Sequence, residues 1–391
     1  MKINKNGCFL LTFILGIIWL PLFSQVDSVG VDSLKTKGKF IDVSLQKPKL
    51  TPFLAPFYAP ETELMFALGG LFTFSLRPLD PYIQRSSIPF AIGYSTNNSF
   101  HTNFRPSIYG IGGHYNLTGE IWIRNQADHF YGVGYDNGKD TELSDSTTLY
   151  DRFWWQVKLN FVRTFQRYYQ AGVVLDLNKT EGSNLNPEMM QDPEILKVGN
   201  EVRNTGFGLV FQYDSRDLSV NAYEGMFLSF STVFYGEFIG GNNEYQIYEF
   251  DYRQYKQIKR PGRTLAWWAK ARLGGGEVPW PELSQLGNPF DFRGYRWGRY
   301  RDRTMLFGML EYRHMFMRKT PNKKGSLNSR SGFVTWMGLG SIAPEITEFD
   351  HWLPNAGIGY RFEIQPRMNI RVDFGVGNNS TGFYVNINEA F

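Results

Sequence analysis

The sequence predicts an all-β protein, a transmembrane antiparallel β-barrel of about sixteen strands. Three observations lead to this prediction. Segments of alternating apolar and polar residues recur along the chain, aromatic residues make up 17% of it, and the mean hydropathy is −0.33. Beyond the N-terminus, no run approaches the ~18 to 20 apolar residues that a membrane-spanning helix needs. Barrel strands reconcile the aromatic content with the polar average, because they alternate lipid-facing and lumen-facing residues.

The first residues predict export. Two lysines precede an apolar stretch from Cys8 to Phe23, and the small residue Ser24 follows, which is the pattern of a secretory signal peptide over residues 1–24. Cys8 is the only cysteine, and we expect it to be removed with the signal, so that the mature protein has no thiol chemistry. The formal net charge of +4 is small for 391 residues. Together with export, it argues against a nucleic-acid partner.

Residues 25–63 differ from the rest of the chain. They are polar at first and then carry a proline at every fourth position, at 48, 52, 56 and 60. Proline has no N–H to donate, so we expect neither a helix nor a central strand here. The sequence therefore predicts a short, Pro-rich periplasmic segment, with the barrel occupying residues 64–391.

From Leu64 onward, strands alternate with turns. In residues 368–376, one face carries Met368, Ile370, Val372, Phe374 and Val376. The opposite face carries Asn369, Arg371, Asp373 and Gly375, which is the period of two that a strand requires. We find about fifteen such segments, and bacterial barrels usually have an even number of strands, so one strand is not located. We find no helix after the signal.

Turn lengths predict an orientation. The connections at 126–150, 179–203 and 276–303 are long and polar, whereas those around Gln166-Arg167 and Gln365-Pro366 are very short. Outer-membrane barrels place short turns in the periplasm and long loops outside the cell. We therefore expect the long connections to be extracellular.

Enzyme chemistry has little support in the sequence. Ser99 and His101 share a strand face, but no carboxylate or amide partner is evident. We interpret both as polar side chains that face the lumen. There is no G-x-S-x-G nucleophile elbow, and the histidines lack metal-ligand spacing. We predict no catalytic residue, no cofactor and no metal.

One long loop has an unusual composition. Residues 288–303, NPFDFRGYRWGRYRDR, combine arginines, aspartates and aromatic rings, and the strand TMLFGMLEYRHMF follows. This region resembles the BamA/TamA superfamily of outer-membrane assembly factors, also known as bacterial surface antigen barrels. In that family a (V/L)RG(F/Y) motif lies in an extracellular loop that folds into the lumen, where its arginine pairs with acidic wall residues. The motif maps onto Phe292, Arg293, Gly294 and Tyr295, and the acidic partner maps onto Glu311.

The resemblance covers most of residues 204–391 and, more loosely, the barrel from residue 64. The stretch QYDSRDLSVNAYEG, residues 212–225, is similar to a strand-end turn of the family but lacks its proline. Trp336 stands where the family often has an aspartate, so either the ion cluster is smaller or Arg293 also stacks on a ring. Residues 25–63 are too short for the periplasmic POTRA modules of the family, so we expect a form without them.

The end of the chain is similar to the signal by which outer-membrane barrels are recognised for assembly. Phe383, Val385, Ile387 and Phe391 occupy alternate positions on one face, although Glu389 replaces an apolar residue. We expect the strand at residues 64–75 to close the barrel against this terminal strand. Asn386, Asn388 and Glu389 indicate weak pairing there.

The resemblance implies a barrel that assists the insertion or translocation of proteins, or lipids, at the outer membrane through a partner-dependent lateral seam. The expected partners are outer-membrane lipids and a protein partner or client, with no nucleic acid. A non-catalytic structural or binding barrel, serving as a subunit of an outer-membrane complex, is the alternative. The sequence names neither the client nor the oligomeric state.

We predict that the mature protein begins near Gln25 and is an integral protein of the bacterial outer membrane. On a detergent gel, the unboiled protein should migrate faster than the boiled protein, because a closed barrel resists unfolding by the detergent. N-terminal sequencing, membrane fractionation and gel mobility measure these properties. Fractionation with the inner membrane, or a retained signal, would contradict the prediction.

Overall fold

The computed structural model describes residues 34–36, 39–41, 47–79, 83, 85–237, 240–318, 328–365 and 367–391. The predicted signal peptide lies outside the described residues. The chain divides into two units, Met1–Leu45 and Gln46–Phe391. In the first unit, β1 (Leu34–Thr36) and β2 (Lys39–Ile41) pair antiparallel.

The second unit is a closed antiparallel barrel of sixteen strands, which confirms the predicted fold class. One of the strands is divided into β6 and β7, which both pair with β5 and β8. The barrel segments are β3 (Lys49–Ala59), β4 (Glu63–Phe74), β5 (Ser86–Ser95), β6 (Phe100–Phe104), β7 (Ser107–Ile111), β8 (Tyr115–His129), β9 (Leu149–Phe165), β10 (Tyr169–Ser183), β11 (Glu201–Asp214), β12 (Gly225–Tyr235), β13 (Tyr245–Gln257), β14 (Arg263–Gly276), β17 (Thr304–Met317), β18 (Asn328–Ala343), β19 (Leu353–Gln365), β20 (Met368–Gly377) and β21 (Ser380–Ile387).

In the described residues, helical structure is confined to short pieces in the connections. These are α1 (Tyr135–Asp140), α2 (Pro187–Gln191), α3 (Pro193–Val198) and a 3-10 turn at Trp280–Glu282. The side chains of Asn186 and Asp192 accept hydrogen bonds from the first backbone N–H groups of α2 and α3, which caps both helices. Among the described residues, no helix is long and apolar enough to cross a membrane.

The connections alternate between two rims of the barrel, because successive strands are antiparallel. The long connections 130–148, 184–200 and 277–303 share one rim, which we call the long-loop rim. The connection 166–168 and the one between β19 and β20 lie at the other, the short-turn rim. The connections singled out in the sequence are therefore divided between the two rims as it predicts.

Side-chain exposure follows the predicted alternation along the strands. On β11, Phe207, Leu209 and Phe211 are exposed on the outer face, whereas Asn204 and Val210 are buried on the inner face. An outer band of this kind is suited to lipid, because hydrocarbon has no polar groups that would need polar partners.

The first barrel strand lies where the sequence analysis excluded one. β3 contains Pro52 and Pro56, and its ladder with β4 runs without a break from Lys49↔Thr73 to Ala59↔Glu63. The backbone groups of successive residues point to opposite edges of a strand, so Pro52 and Pro56, four residues apart, direct their nitrogen atoms to the same edge. Because the ladder with β4 is continuous, that edge is the one away from β4, where proline is tolerated. The predicted boundary at residues 63 and 64 is wrong, since the barrel begins at Lys49.

β3, rather than the expected strand at residues 64–75, meets the terminal strand. We call the junction of β3 and β21 the seam. In the described part of the chain its register has one pair, Tyr58↔Val385. By contrast, β20 and β21 pair continuously from Ile370↔Ile387 to Gly377↔Ser380. If the register of the seam is continued, Pro56 lies beside Ile387, where β21 ends. The described residues therefore provide no strand beside residues 49–55 of β3 on this edge.

Phe391 does not share the outer face of β21. Asn388 has a positive φ of 70°, and the chain leaves the strand at this point. The Phe391 side chain is buried, with its ring centroid 5.1 Å from that of Trp268, whereas Phe383 is exposed on the outer face. The single face predicted for Phe383, Val385, Ile387 and Phe391 is therefore wrong for Phe391, because the left-handed residue turns the chain inward.

We predict that Phe391→Ala destabilises the barrel, because it removes a buried ring, a change that typically costs about 3 to 5 kcal/mol. The measurement is the urea or heat midpoint of the mobility shift on gels. Phe383→Ala, on the outer face, is the matched control and should shift the midpoint less. We also expect deletion of Phe391 to impair assembly in cells. Wild-type midpoints and wild-type membrane levels for the Phe391 variants would contradict both expectations.

Candidate functional site

The loop that carries the predicted motif is built on a small hairpin. We call residues 277–303 the lumen loop. Its base is formed by β15 (Ser284–Leu286), which pairs antiparallel with β16 (Tyr300–Asp302). The pairing brings the two ends of the loop together, so that residues 287–299 form a compact tip.

Asn288 and Asp291 shape the turn that presents the motif. The Asn288 Oδ1 atom accepts hydrogen bonds from the backbone N–H groups of Phe290 at 2.7 Å and Asp291 at 3.2 Å. The Asp291 carboxylate accepts from the backbone N–H groups of Gly287, at 3.2 Å, and Phe292. Burial raises the pKa of Asp291 to about 6, although these donors act in the opposite direction. Side chains of this kind replace backbone partners in tight turns.

Arg293 lies at the centre of the site and is fully buried. Its Nη2 atom is 2.5 Å from Glu311 Oε2 on β17, and its Nη1 atom is 2.9 Å from Asp373 Oδ2 on β20. Its guanidinium carbon also lies 3.6 Å from the ring centroid of Trp336. The structure thus places Arg293 against the predicted partner Glu311 and on the ring that replaces the family's aspartate.

Sequence reasoning did not identify Asp373 as a partner of Arg293. The alternation of residues 368–376 assigns Asp373 to the polar face, but it does not reveal which wall residues the loop reaches. The second carboxylate comes from β20, far from Glu311 in the chain, and the successive ladders from β17 to β20 place the two carboxylates on one curved inner wall. This contact therefore depends on strand order and register, which the alternation alone does not give.

The charges around Arg293 form a larger network. Arg313 binds Glu311 at 2.7 Å, and Arg361 and Arg371 bind Asp373 at 2.5 and 2.7 Å. Arg361 also reaches Glu389 at 2.8 Å. Four arginines and three carboxylates are thus linked in the described residues, and Arg293 also stacks on the Trp336 ring. Buried charges of this density need partners, because an unpaired buried charge is costly.

The other motif residues fix the loop tip to the wall. A Cβ atom at Gly294 would overlap the main chain of Val376, so only glycine permits this approach to β20. The Phe292 ring is buried against Phe307, with 5.4 Å between centroids. The Tyr295 hydroxyl donates to the carbonyl oxygen of Pro354 at 2.6 Å.

The lumen loop also contacts both sides of the seam. On the β21 side, the Tyr384 hydroxyl donates to the Tyr295 carbonyl oxygen at 3.1 Å. On the β3 side, the backbone N–H of Trp297 donates to Glu61 Oε1 at 2.9 Å, and Glu61 lies in the turn between β3 and β4. One loop therefore links the two strands whose own pairing is sparse.

A second segment enters the lumen from the short-turn rim. We call residues 215–224 the rim turn, which corresponds to the strand-end turn noted in the sequence. Asp217 Oδ1 accepts from the Leu218 and Tyr223 N–H groups at 3.0 Å, which holds the turn together. Arg367 Nη2 binds Asp217 Oδ2 at 2.5 Å, and its guanidinium carbon lies 3.4 Å from the Tyr223 ring centroid.

The residues considered for catalysis do not form a catalytic group. The His101 ring nitrogen Nε2 is 2.7 Å from Gln126 Oε1, while the Ser99 hydroxyl donates to Asn97 Oδ1 at 2.7 Å. The two side chains thus have separate partners. In the described residues, no group of three or more histidines, cysteines or carboxylates could hold a metal ion.

We predict that Arg293→Ala frees the lumen loop, because removing one partner of a buried ion pair typically costs about 3 to 5 kcal/mol. Limited proteolysis of folded protein measures this as faster cleavage within residues 277–303. Arg293→Lys should restore only part of the resistance to cleavage, since an ammonium lacks the planar guanidinium geometry that reaches two carboxylates.

Arg303→Ala provides the matched control in the same loop. Arg303 binds Glu345 at 2.6 Å, but both side chains are solvent-exposed, and such pairs are worth about 1 kcal/mol or less. Its cleavage rate should resemble that of the wild type. Equal rates for the Arg293 and Arg303 variants would make the lumen loop an ordinary solvated loop. Partial recovery in the doubly exchanged variant, Arg293→Glu with Glu311→Arg, would support the direct contact.

Solved structures share this architecture. BamA from Haemophilus ducreyi lacking POTRA domains 1–3 superposes with a TM-score of 0.57 at 11% identity, covering 92% of this chain and 75% of that one. CdiB from Acinetobacter baumannii superposes with a TM-score of 0.50 at 13% identity, covering 89% and 67%. CdiB from Escherichia coli superposes with a TM-score of 0.51 at 8% identity, covering 88% and 68%. At these identities the likeness establishes the fold.

Sequence comparison assigns the family. No curated protein matches the chain significantly. The model of the Omp85 superfamily domain matches residues 72–337, which is more than half of the chain. The match includes the lumen loop and its partner Glu311. The chain therefore belongs to the Omp85 superfamily.

Proposed function

We propose that this protein assists the insertion or translocation of proteins at the outer membrane by opening its seam. Omp85 barrels are integral outer-membrane proteins that take part in protein insertion and secretion, which supports the general assignment. The observation that carries the specific proposal is the single registered pair, Tyr58↔Val385, between β3 and β21. When β6 and β7 are counted as one strand, every other pair of neighbouring barrel strands has at least six registered pairs and would cost more hydrogen bonds to separate.

The exposed edge of β3 is suited to transient pairing with a client strand. A strand can add to an open edge by main-chain hydrogen bonds, with little dependence on the client's sequence. Pro52 and Pro56 leave carbonyl acceptors on this edge but remove two of its donors. An added strand would therefore form an incomplete ladder, which favours its release into the membrane over permanent incorporation.

The lumen loop is positioned to control the seam. Tyr295 is bonded to Tyr384 on β21, and Trp297 is bonded to Glu61 beside β3, so separation of the two strands must break or stretch at least one of these contacts. The ion pairs of Arg293 with Glu311 and Asp373 hold the loop tip against β17 and β20. We propose that a client or partner protein opens the seam by displacing the loop from one of its two sides.

A protein partner is part of this proposal. Apart from the barrel and its connections, the described residues of this chain form only the short pair β1 and β2. Homologues in the superfamily work with partner proteins, which supports a similar dependence here. Outer-membrane lipids are the other proposed partners, because the outer face of the barrel is apolar.

A static structural or binding barrel is the second candidate. The observation that favours it is that segments enter the lumen from both rims, the lumen loop held by the buried pair Arg293–Glu311 and the rim turn held by the partly exposed pair Arg367–Asp217. Such bracing would also suit a rigid subunit of a larger complex. Neither candidate requires a catalytic group.

A disulfide across the seam separates the two candidates. We predict that Tyr58→Cys with Val385→Cys, once oxidised, fails to restore the outer-membrane proteome of a deletion strain, whereas the reduced protein restores it. Opening requires the two strands to part, and the disulfide prevents this. The measurement is a quantitative outer-membrane proteome with and without reductant.

The matched control places a disulfide where no opening is proposed. Val376 and Thr381 are a registered pair between β20 and β21, so Val376→Cys with Thr381→Cys links strands that already form a continuous ladder. Protein with this disulfide should complement in both redox states. Full complementation by verified crosslinked protein at the seam would instead support the static barrel.

A further inference from the structure

The outer face of the barrel carries its charges unevenly. In the described residues, the outward positions of β13, β14, β17, β18 and β19 include no carboxylate. Near the short-turn rim, however, these positions include Lys256 on β13 and Arg263 on β14. Outward carboxylates such as Glu181 and Glu201 lie at the long-loop rim instead, on β10 and β11. The short-turn end of the β13 to β19 face is therefore positively charged.

Four cations meet at this end of the face, and we call Lys256, Lys259, Arg260 and Arg263 the basic girdle. Lys256 lies opposite Leu265, so Arg263 is its diagonal neighbour on the same face. Arg260, in the turn between β13 and β14, donates from Nη2 to the carbonyl oxygen of Met315 at 2.6 Å, which holds it beside β17. Burial and then the neighbouring Arg263 cation lower the pKa of Arg260, so these two positive groups are close enough to repel each other.

Two members of the basic girdle have no ionic partner within the protein. Among the described residues, neither Lys256 nor Arg263 is ion-paired, and the Nε atom of Arg263 is buried without a hydrogen-bond partner. The long-loop end of the outer face differs in this respect, because Lys179 binds Glu201 at 2.8 Å and Glu181 at 3.5 Å. The basic girdle therefore has positive charge available for an external anion.

Aromatic rings place the basic girdle at the surface of the membrane. Arg263 lies opposite His314 on β17. The His314 ring stacks on Phe333, with 5.2 Å between centroids, and its Nδ1 atom is 3.1 Å from the Tyr312 hydroxyl. Rings of this kind concentrate where the hydrocarbon of a bilayer meets its headgroups. The outward cations beside them are therefore close to the headgroups.

We propose that the basic girdle binds the phosphate group of an anionic phospholipid, such as phosphatidylglycerol, in the periplasmic leaflet. The planar guanidinium of Arg263 can direct two N–H groups to phosphate oxygens, and the Lys256 ammonium adds a second positive charge. Because His314 Nδ1 contacts Tyr312, its Nε2 atom is the ring nitrogen left to the ligand. The acyl chains would then cover the outward side chains of Leu265 and Phe333.

The observations favour a lipid over an acidic protein. Lys256 and Arg263 project from the outer face of the wall, where a bilayer surrounds the barrel, rather than from the end of a periplasmic turn. The site is also separate from the seam, since β17 to β21 lie between β14 and the seam. The inference thus goes beyond the proposed function and does not require the seam to open.

Lipid binding to the folded mature protein tests the proposal. The protein in detergent micelles is titrated with phosphatidylglycerol or with zwitterionic phosphatidylcholine, and bound lipid is measured by native mass spectrometry. The test variant is Lys256→Gln with Arg263→Gln. The matched control is Lys179→Gln with Arg203→Gln, a registered pair that removes two cations from the outer face at the long-loop rim. Heat-modifiable mobility verifies that each variant is folded.

We expect the wild type to bind phosphatidylglycerol more tightly than phosphatidylcholine. The test variant should lose about fivefold in phosphatidylglycerol affinity for each cation removed, which corresponds to about 1 kcal/mol per basic residue. The control should keep the wild-type affinity, because Lys179 already has carboxylate partners. If the double variant does not fold, Lys256→Gln alone replaces it, since the Lys256 side chain is exposed.

Two results would overturn the proposal directly. Equal affinity of the wild type for both lipids would mean that the face holds only the ordinary lipid that surrounds any barrel. Equal losses in the test and control variants would mean that total charge, rather than the basic girdle, determines binding. Arg263→Lys should retain part of the affinity, because it keeps the charge but loses the paired N–H groups.

Two further measurements separate the possible occupants. Inorganic phosphate should displace phosphatidylglycerol no better than chloride at the same ionic strength, and stronger displacement would make the girdle a site for free phosphate instead. A photo-reactive residue in place of Leu265 should crosslink to phospholipid in cells. A discrete protein crosslink that disappears in the Lys256 and Arg263 variant, without any lipid crosslink, would make the girdle a protein-binding surface and overturn the proposal.

Discussion

The placement of one guanidinium group organises the interior of this barrel. Arg293 reaches Glu311 on β17 and Asp373 on β20 while lying on the Trp336 ring, so one loop residue contacts three strands. A buried cation is tolerated only where partners compensate for its lost hydration, and here two carboxylates and an aromatic face do so. The next two residues, Gly294 and Tyr295, contact the wall at Val376 and Pro354, so the loop tip is held at three consecutive positions.

The seam depends on the same loop. β3 and β21 contribute one registered pair of their own, while the lumen loop bonds to Tyr384 on one side and Glu61 on the other. At the seam, the contacts of the lumen loop are thus more numerous than the direct pairing of the two strands, whereas continuous ladders join the other strands of the wall. In the proposed mechanism, this difference allows the seam to open while the rest of the sheet stays intact.

The two sides of the seam differ in the charge of their inner faces. Ion pairs concentrate on β17 to β20, the strands that hold the loop, and β20 is the neighbour of β21. On the other side of the seam, the inward positions between the ends of β3, β4 and β5 carry no ionisable side chain. A charged side chain loses hydration when it approaches lipid, so the β3 side is the one where such an approach costs less.

The sequence alone determined the fold class, the long-loop rim and the residues of the loop motif. The period of two along a strand and the composition of a turn are local properties, so they can be recognised without the structure. It also led to Glu311, because strand phase places that residue inside and the family resemblance pairs it with Arg293. These are features that depend on near neighbours or on a motif.

Only the tertiary structure decided the rest. The prolines at 52 and 56 predict against a central strand, but their nitrogen atoms point to the edge of β3 away from β4, so the ladder with β4 needs no N–H group from them. Asp373 joins Arg293 because the ladders from β17 to β20 place both carboxylate partners on one curved inner wall. Phe391 leaves the outer face because Asn388 turns the chain toward Trp268 and Arg313. In each case the deciding contact joins residues far apart in the chain, and local patterns carry no information about such contacts.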